Sequence, residues 1–210
     1  MQLLNFMLPL MLALYGGPNA ETADYNMLIQ AKIMEMNGLD RQEIWDKTGW
    51  FRGAHGSWQF EIDDSKAKYK GPGKTLGDVL DHPEYFKAYP DASKVPVQVN
   101  ERRSGPSSGL YYPSDPSMVL TGQPQDLRST LLHETNHDAQ KRENLKINPK
   151  YRYTSEELQY LFNNAGTPQQ YQKAWEKFQN NPLEIESRSV QDRMDYSPEL
   201  RKKFPPWTSY

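Results

Sequence analysis

The sequence predicts an α+β domain in which a small mixed β-sheet precedes a helical half. Two observations support this class. Between residues 50 and 120, apolar residues alternate with polar ones, as in strands with one buried face. From residue 124 onward, apolar residues recur at helical spacing, with helix-capping signals at Thr167 and Asn181. A chain of 210 residues is long enough for one such domain with a hydrophobic core.

Composition excludes several classes of site. The net charge of -2 and the pI near 6.1 indicate no nucleic-acid partner. The nearest basic cluster, Lys66 to Lys74, lies in a Gly- and Pro-containing stretch that is typical of a solvated loop. The chain has no cysteine, which excludes disulfides and thiolate ligands and is compatible with a reducing compartment.

The first residues are predicted to form a docking segment. Leu3 to Tyr15 is an apolar run of 13 residues, too short for an ordinary membrane span. We therefore expect an apolar N-terminal segment, residues 1–21, that packs on its own domain or on a partner, followed by one domain over residues 22–210. A secretory signal is the alternative. However, no Lys or Arg precedes the run, and Pro18-Asn19-Ala20 is a poor cleavage site.

Two helices and a hairpin are predicted next. Helical spacing over residues 22–37 ends at Asn37-Gly38, and Asp40 with Glu43 forms a capping pair for a short helix that ends at Gly49. Residues 50–52 and 58–62 are predicted to pair as a hairpin. His55, in the Gly-flanked turn between them, is expected to be exposed and not to bind metal.

Further short elements fill the region up to residue 122. A short helix is predicted to begin at Thr75, and His82-Pro83 marks a break before an aromatic packing segment. Residues 95–99 are strand-like, and Pro96 restricts them to an edge or a strand start. Residues 109–112 and 118–120 are predicted to form a second hairpin, which could border a substrate cleft.

The next helix, predicted to begin near Pro124 or Asp126, contains the pattern His133-Glu134-x-x-His137. On a helix the two histidines lie on one face, separated by about 40° of rotation. Two imidazoles in that arrangement suit one zinc ion. Glu134, about 100° around from His133, could take a proton from a water molecule that the ion activates.

A catalytic zinc ion usually has three protein ligands, so a third must come from elsewhere. A later helix, with Asn181 as cap and Pro182 at its first position, contains Glu184 and Glu186. The two glutamates point about 200° apart on a helix, so only one should reach the metal. The residues alone leave the choice open, because Glu184 could fold back onto the cap N–H and Glu186 could lie on a solvated face.

The rest of the second half is predicted to be helical packing. Thr154 with Glu157, and Thr167 with Gln170, resemble capping boxes. The helical stripe after Thr167 is expected to lie in the core; its members are Tyr171, Ala174, Trp175 and Phe178. A last short helix should begin at Ser197-Pro198 and run through Leu200, with Trp207 anchoring the tail.

The pattern of two histidines followed by a glutamate on a later helix resembles zincin metallopeptidases of the gluzincin type. In that family the ligand glutamate often has a small residue three places on, and Glu184 with Ser187 fits this spacing. The resemblance implies His133, His137 and Glu184 as zinc ligands and Glu134 as the catalytic residue. Arg188 departs from the pattern, because many gluzincins have Asp or Asn there to support a ligating histidine.

A second resemblance covers residues 48 to 193. In order along the chain, it depends on Thr48–Gly53, Trp58–Asp64, Leu76–Pro83, the metal helix and Glu184–Arg193. Together these segments resemble a zincin-type module found in the large polyvalent proteins of bacteriophages, in which Arg at position 188 would be ordinary. This resemblance implies a zincin-like fold and a phage virion or the cytoplasm of an infected host as the setting. Secretion remains the alternative.

These patterns lead to two hypotheses about function. The first is a zinc metallopeptidase that cleaves a peptide or protein substrate, with His82, Tyr153 and Arg188 as candidate donors to the transition state. The second is a virion structural or adaptor protein that keeps the zincin fold but cleaves nothing, and that contacts other virion proteins through its apolar N-terminal segment.

Overall fold

The structure, a computed structural model, describes residues 14–145, 163–164 and 167–209. The strands that it describes are β1 Leu14–Gly16, β2 Trp50–Arg52, β3 Trp58–Ile62, β4 Lys68–Tyr69, β5 Leu80–Asp81, β6 Val97–Glu101, β7 Ser108–Tyr112 and β8 Ser117–Gly122. The α-helices are α1 Tyr25–Met36, α2 Arg41–Thr48, α3 Leu76–Val79, α4 Pro83–Ala88, α5 Pro124–Arg142, α6 Pro168–Gln179, α7 Pro182–Arg193 and α8 Pro198–Lys203. Short 3₁₀ helices cover Pro90–Lys94 and Pro206–Ser209.

Local signals place the helix ends. Asp40 accepts a hydrogen bond from the Glu43 backbone N–H at 2.9 Å, and Gly49, with φ of 75°, ends α2 in the left-handed conformation that glycine tolerates. Thr167 and Asn181 cap α6 and α7, each with proline at the first helical position. The predicted caps of these helices are therefore confirmed.

The strands form three small sheets among the described residues. The first has the order β1-β3-β2 and is antiparallel, and the second pairs β4 with β5. The third has the order β6-β8-β7, with β6 parallel and β7 antiparallel to β8. The α+β class and the mixed strand directions are confirmed, but one sheet was expected. Pairing is divided because α3, α4 and Pro90–Lys94 lie between β3 and β6 and turn the chain away from the first sheet.

Part of the predicted N-terminal segment belongs to the domain. In β1, Leu14 pairs with Ile62 of β3, and the side chains of Leu14 and Tyr15 are buried. The domain therefore begins before residue 22 in this structure, while residues 1–13 lie outside the described residues. Among the helices that the structure describes, none is both long enough and apolar enough to cross a bilayer.

One helix departs from the predicted core stripe. In α6, Ala174 is buried, but Trp175 leaves 45% of its surface exposed and stacks on Phe178. The expectation of a buried Trp175 was wrong, because α6 packs on α7 through a small residue that leaves its bulky neighbour at the surface. The Tyr171 side chain and the predicted cap at Thr154 lie outside the described residues.

Helix α5 lies at the centre of the main core. It packs against β7, β8, β1 and α7. Its apolar side is fully buried; this side comprises Leu127, Leu131, Leu132 and Ala139. Trp207 holds the last described residues against the first half of the domain. Its ring packs edge-on against Trp45 and at a tilt against Phe51. The predicted anchoring role of Trp207 is confirmed.

Candidate metal centre

The two histidines of α5 project from one side of the helix, one turn apart. Their Nε2 atoms are 3.2 Å from each other. The opposite side of the helix is fixed in the core, so the direction of the imidazoles is set by the packing of α5. The side chains of His133 and His137 retain 14% and 15% of their exposure, so solvent reaches this side of the helix.

Helix α7 brings Glu184 to the same place. One carboxylate oxygen, Oε1, is 3.3 Å from His137 Nε2, and the other, Oε2, is 3.4 Å from His133 Nε2. Glu184 does not fold back onto the helix cap, because the Asn181 backbone N–H donates to the Phe178 carbonyl oxygen at 3.1 Å. Among the described residues, these three side chains form the group of potential ligands whose donor atoms all lie within 4.8 Å of one another.

The spacing of the donor atoms fits a tetrahedral metal ion. Zinc–ligand distances of about 2.0–2.1 Å place neighbouring ligand atoms about 3.3 Å apart in a tetrahedron. In the structure the two Nε2 atoms are 3.2 Å apart, and the two oxygens of the Glu184 carboxylate flank them, with Oε1 3.3 Å from His137 Nε2 and Oε2 3.4 Å from His133 Nε2. Two imidazoles and one carboxylate are also a known donor set for catalytic zinc, which retains an open fourth position. The residues present therefore fit a divalent ion such as zinc, and solvent access to the histidines supplies that opening.

The charges at the centre favour a bound cation. Although burial opposes the charged form of His137, Glu184 and Glu134 raise its pKa to about 9. Burial likewise opposes ionisation of Glu184, yet the two histidines hold its pKa well below the usual range. The centre thus stabilises positive charge at the point where the three side chains meet.

Glu134 lies beside the centre, against strand β7. Burial raises the pKa of its carboxyl, with His133 and His137 opposing that rise and Glu184 adding to it. The backbone N–H of Tyr111 donates to this carboxylate. A side chain at Gly109 would meet it, because a Cβ atom there would lie only 2.4 Å from Glu134 Oε1. Glycine at position 109 therefore allows the strand to approach the carboxylate closely.

Glu186 lies apart from the group of potential ligands, and it is fully buried rather than on a solvated face. Its carboxylate accepts hydrogen bonds from the Ala54 backbone N–H at 2.7 Å, from Gln140 Nε2 at 3.2 Å and from Gln59 Nε2 at 3.3 Å. Burial raises the pKa of this group to about 7. The alternative of a solvated Glu186 does not hold, because the turn after β2 folds over α7 and covers this side chain.

The same turn corrects the expectation for His55. Its side chain is only 6% exposed, and Nδ1 is 3.4 Å from Glu186 Oε1. Burial lowers the pKa of His55 to about 4, so this imidazole is neutral at pH 7. Among the described residues, His55 does not belong to the group of potential metal ligands.

Two glutamines that the sequence reasoning missed contact the histidines. Gln140 Oε1 lies 2.8 Å from His137 Nδ1, and Gln191 Oε1 lies 3.1 Å from His133 Nδ1. A spacing signal existed for both. Gln140 is three residues after His137, and Gln191 is seven residues after Glu184, on the same side of α7.

The candidate donors to a transition state are not assembled at the centre. His82 accepts at Nδ1 from the Tyr85 backbone N–H and caps α4, and Arg188 donates to the Gln179 carbonyl oxygen. Tyr153 lies outside the described residues. Ser187 is buried between the helices, where its Oγ accepts from Asn136 Nδ2 at 3.1 Å, so this small residue lets α7 approach α5.

Comparison with known families adds one finding. The model of the family described as Large polyvalent protein associated domain 23 matches residues 13–70. This match supports the resemblance to large polyvalent proteins over a little more than a quarter of the chain. The matched segment includes β1 to β4 but none of His133, His137 and Glu184. No curated protein and no solved structure gives a significant match.

Proposed function

We propose that this protein is a zinc-dependent metallopeptidase with a zincin-like arrangement of α5 and α7. The observation that supports this proposal best is the convergence of His133 Nε2, His137 Nε2 and the Glu184 carboxylate, with neighbouring atoms 3.2 to 3.4 Å apart and Glu134 beside them. Zinc bound there would supply a Lewis acid that lowers the pKa of a water molecule and polarises a peptide carbonyl.

The chain's own residues have distinct roles in this proposal. His133, His137 and Glu184 hold the ion. Glu134 accepts a proton from the attacking water and delivers it to the departing amide nitrogen, which makes it the general base and then the general acid. Its fixed position against Gly109 prevents it from turning away from the centre.

Strand β7 is a suitable place for the substrate backbone. It is an edge strand of the third sheet, where it pairs with β8, and it also packs against α5. An extended peptide can add to such an edge through main-chain hydrogen bonds. Because Gly109 faces Glu134, a peptide bound along this edge would place a carbonyl group close to the general base.

The proposal is tested with zinc-loaded protein and a degenerate peptide mixture analysed by mass spectrometry. Wild type should cleave the peptides, and Glu134→Gln should lower the rate by roughly 10²- to 10⁴-fold while zinc content stays at that of wild type. Asp126→Asn is the matched control, since it removes a carboxylate from the exposed start of the same helix. Absence of zinc from wild type, or undiminished cleavage by Glu134→Gln, would refute the proposal.

The second candidate function is that of a virion structural or adaptor protein without cleavage activity. It is favoured by an exposed apolar stripe on α1, within the segment that the large polyvalent protein family matches. The stripe comprises Tyr25, Ile29, Ile33 and Met36. Under this candidate, assembly of phage particles survives Glu134→Gln. Under both candidates we propose a phage particle or an infected bacterium as the setting.

A further inference from the structure

Each histidine of the metal centre has a glutamine oxygen at its second ring nitrogen. Which end of a glutamine amide faces a ring decides which nitrogen of that ring bears hydrogen, because only an N–H can donate to the amide oxygen. The orientation of the two amides therefore determines whether both Nε2 lone pairs are available to a metal.

The orientation of the Gln140 amide is set by its other contacts. Its Nε2 donates to the Leu183 carbonyl oxygen at 3.0 Å and to Glu186 Oε2 at 3.2 Å. A backbone carbonyl can only accept, so the NH₂ group must face Leu183. The amide oxygen then faces His137 Nδ1 at 2.8 Å, and that nitrogen must bear the hydrogen.

Glu186 in turn is fixed by the hairpin of β2 and β3. Its Oε1 accepts from the Ala54 N–H at 2.7 Å, and Gln59 donates to Oε2. Gly53 leaves room for this carboxylate, because a Cβ atom at Gly53 would lie 2.4 Å from Glu186 Oε1. The contacts therefore run from the hairpin turn through Glu186 and Gln140 to His137.

The orientation of the Gln191 amide is likewise set by its other contacts, which are with Ser129 of α5. Its Nε2 donates to the Ser129 hydroxyl at 3.2 Å and to the Ser129 carbonyl oxygen at 3.4 Å. The amide oxygen consequently faces His133 Nδ1 at 3.1 Å. In the neutral form that a metal ligand must take, both imidazoles are thus held with hydrogen on Nδ1, which leaves the lone pairs of the two Nε2 atoms, 3.2 Å apart, available to the ion.

We propose that Gln140 and Gln191 are positioning residues that fix the tautomer and ring orientation of the two zinc-ligating histidines, with Glu186 fixing Gln140. This inference depends on the proposed zinc site. It assigns to two glutamine amides the role that carboxylates often have at such sites, which is to accept a hydrogen bond from the second nitrogen of a ligating histidine. Arg188, at the position where many gluzincins have Asp or Asn for this purpose, is therefore not needed for it and donates to the Gln179 carbonyl oxygen instead.

The first test measures zinc affinity by competition with a chelator. Gln191→Met keeps the length of the side chain but removes the acceptor, and should weaken zinc binding by about 10- to 100-fold. Gln191→Glu keeps an acceptor at His133, and its second oxygen can accept from the Ser129 hydroxyl, which is nearer than the Ser129 carbonyl oxygen (3.2 against 3.4 Å), so its zinc affinity should stay closer to that of wild type than that of Gln191→Met. Gln140→Glu should weaken zinc binding, because it would place a carboxylate oxygen against the Leu183 carbonyl oxygen and the Glu186 carboxylate. Exposed Gln125→Met is the control.

The second test is nuclear magnetic resonance of zinc-loaded protein labelled with ¹⁵N in histidine. Wild type should show two Nδ1–H signals protected from exchange with water, and Gln191→Met should lose the protection of the His133 signal alone. A purely structural role for Gln191 would leave that signal unchanged. Nε2–H signals assigned to His133 or His137 in zinc-loaded wild type would overturn the proposal, whereas His82, which accepts at Nδ1, is expected to show one in every variant.

The outcomes separate this proposal from the proposed function. If wild type binds no zinc, the metallopeptidase proposal fails. If wild type binds zinc and both Gln191→Met and Gln140→Glu bind it equally well, the metal site stands and the positioning role of the glutamines is refuted.

Discussion

Replacement of Gly109 by alanine tests the placement of Glu134, the proposed general base, without touching a proposed metal ligand. The glycine has ordinary negative φ, so alanine introduces no backbone strain there. Its Cβ atom would lie 2.4 Å from Glu134 Oε1, 2.6 Å from Cγ and 2.8 Å from Cδ, whereas ordinary contacts begin at 3.4 Å. The carboxylate must therefore move by about 1 Å, a displacement that can reduce the rate of a positioned reaction by roughly 100-fold, or about 2.7 kcal/mol.

The assay compares peptide cleavage and zinc content in the same preparations. Gly109→Ala should cleave about 100-fold more slowly than wild type while it binds zinc with unchanged affinity, because Glu134 is not a ligand. Ser108→Ala is the matched control, since this exposed neighbour in β7 points to the opposite face of the strand. Cleavage by Gly109→Ala at the wild-type rate would refute the placement of Glu134 against β7, and loss of zinc would show that the strand also supports the ligands.

Three further predictions concern stability. Free zinc at about 1,000 times its dissociation constant should raise the free energy of unfolding of wild type by about 4 kcal/mol and leave that of His137→Ala unchanged. Thermal unfolding with and without zinc measures this, and an equal response of the two proteins would exclude His137 as a ligand. Burial lowers the pKa of His82 to about 4, so the unfolded chain takes up a proton below the ordinary pKa of 6.5 and the folded one does not. As pH falls from 6.5 to 4, the free energy of unfolding of wild type should therefore drop by up to about 3 kcal/mol more than that of His82→Asn, a variant that keeps a capping acceptor. Urea unfolding measures both, and the same pH dependence in the two proteins would contradict this prediction. The buried Arg201 guanidinium is 3.5 Å from the Asp64 carboxylate, so Arg201→Met should lower the free energy of unfolding by about 3–5 kcal/mol, measured with urea. The double variant Arg201→Met with Asp64→Asn should lose less stability, because it leaves no unpaired buried carboxylate. Equal losses in the two variants would show that the two groups are not coupled.

Much of the local structure could be predicted from short stretches of sequence. The caps at Asp40, Thr167 and Asn181 were identified because a helix start depends on hydrogen bonds between residues two or three positions apart. The hairpin of β2 and β3 was predicted for a similar reason, since alternation and a Gly-containing turn lie within 13 residues of chain. Pro96 alone restricted residues 95–99 to an edge or a strand start, and β6 is an edge strand that begins directly after Pro96.

Other features could not be predicted because they depend on contacts between distant residues. His55 was expected to be exposed, yet the fold buries it beside Glu186, 131 positions later in the chain. Leu14 was expected to pack either on its own domain or on a partner, and only its pairing with Ile62 decides for the domain. Neither residue has a local pattern that distinguishes a surface position from a covered one, because burial is decided by whichever element packs over it.

The sequence by itself determined that His133, Glu134 and His137 share a helix, because helical geometry fixes the relation between residues one turn apart. It also limited the candidates for a third ligand to Glu184 and Glu186, which point in nearly opposite directions on one helix. Only the packing of α7 on α5 decided between them, turning Glu184 toward the imidazoles and Glu186 toward the hairpin and Gln140. The rotation of one helix against another is set by side chains along the whole contact, and a sequence pattern within either helix does not contain that information.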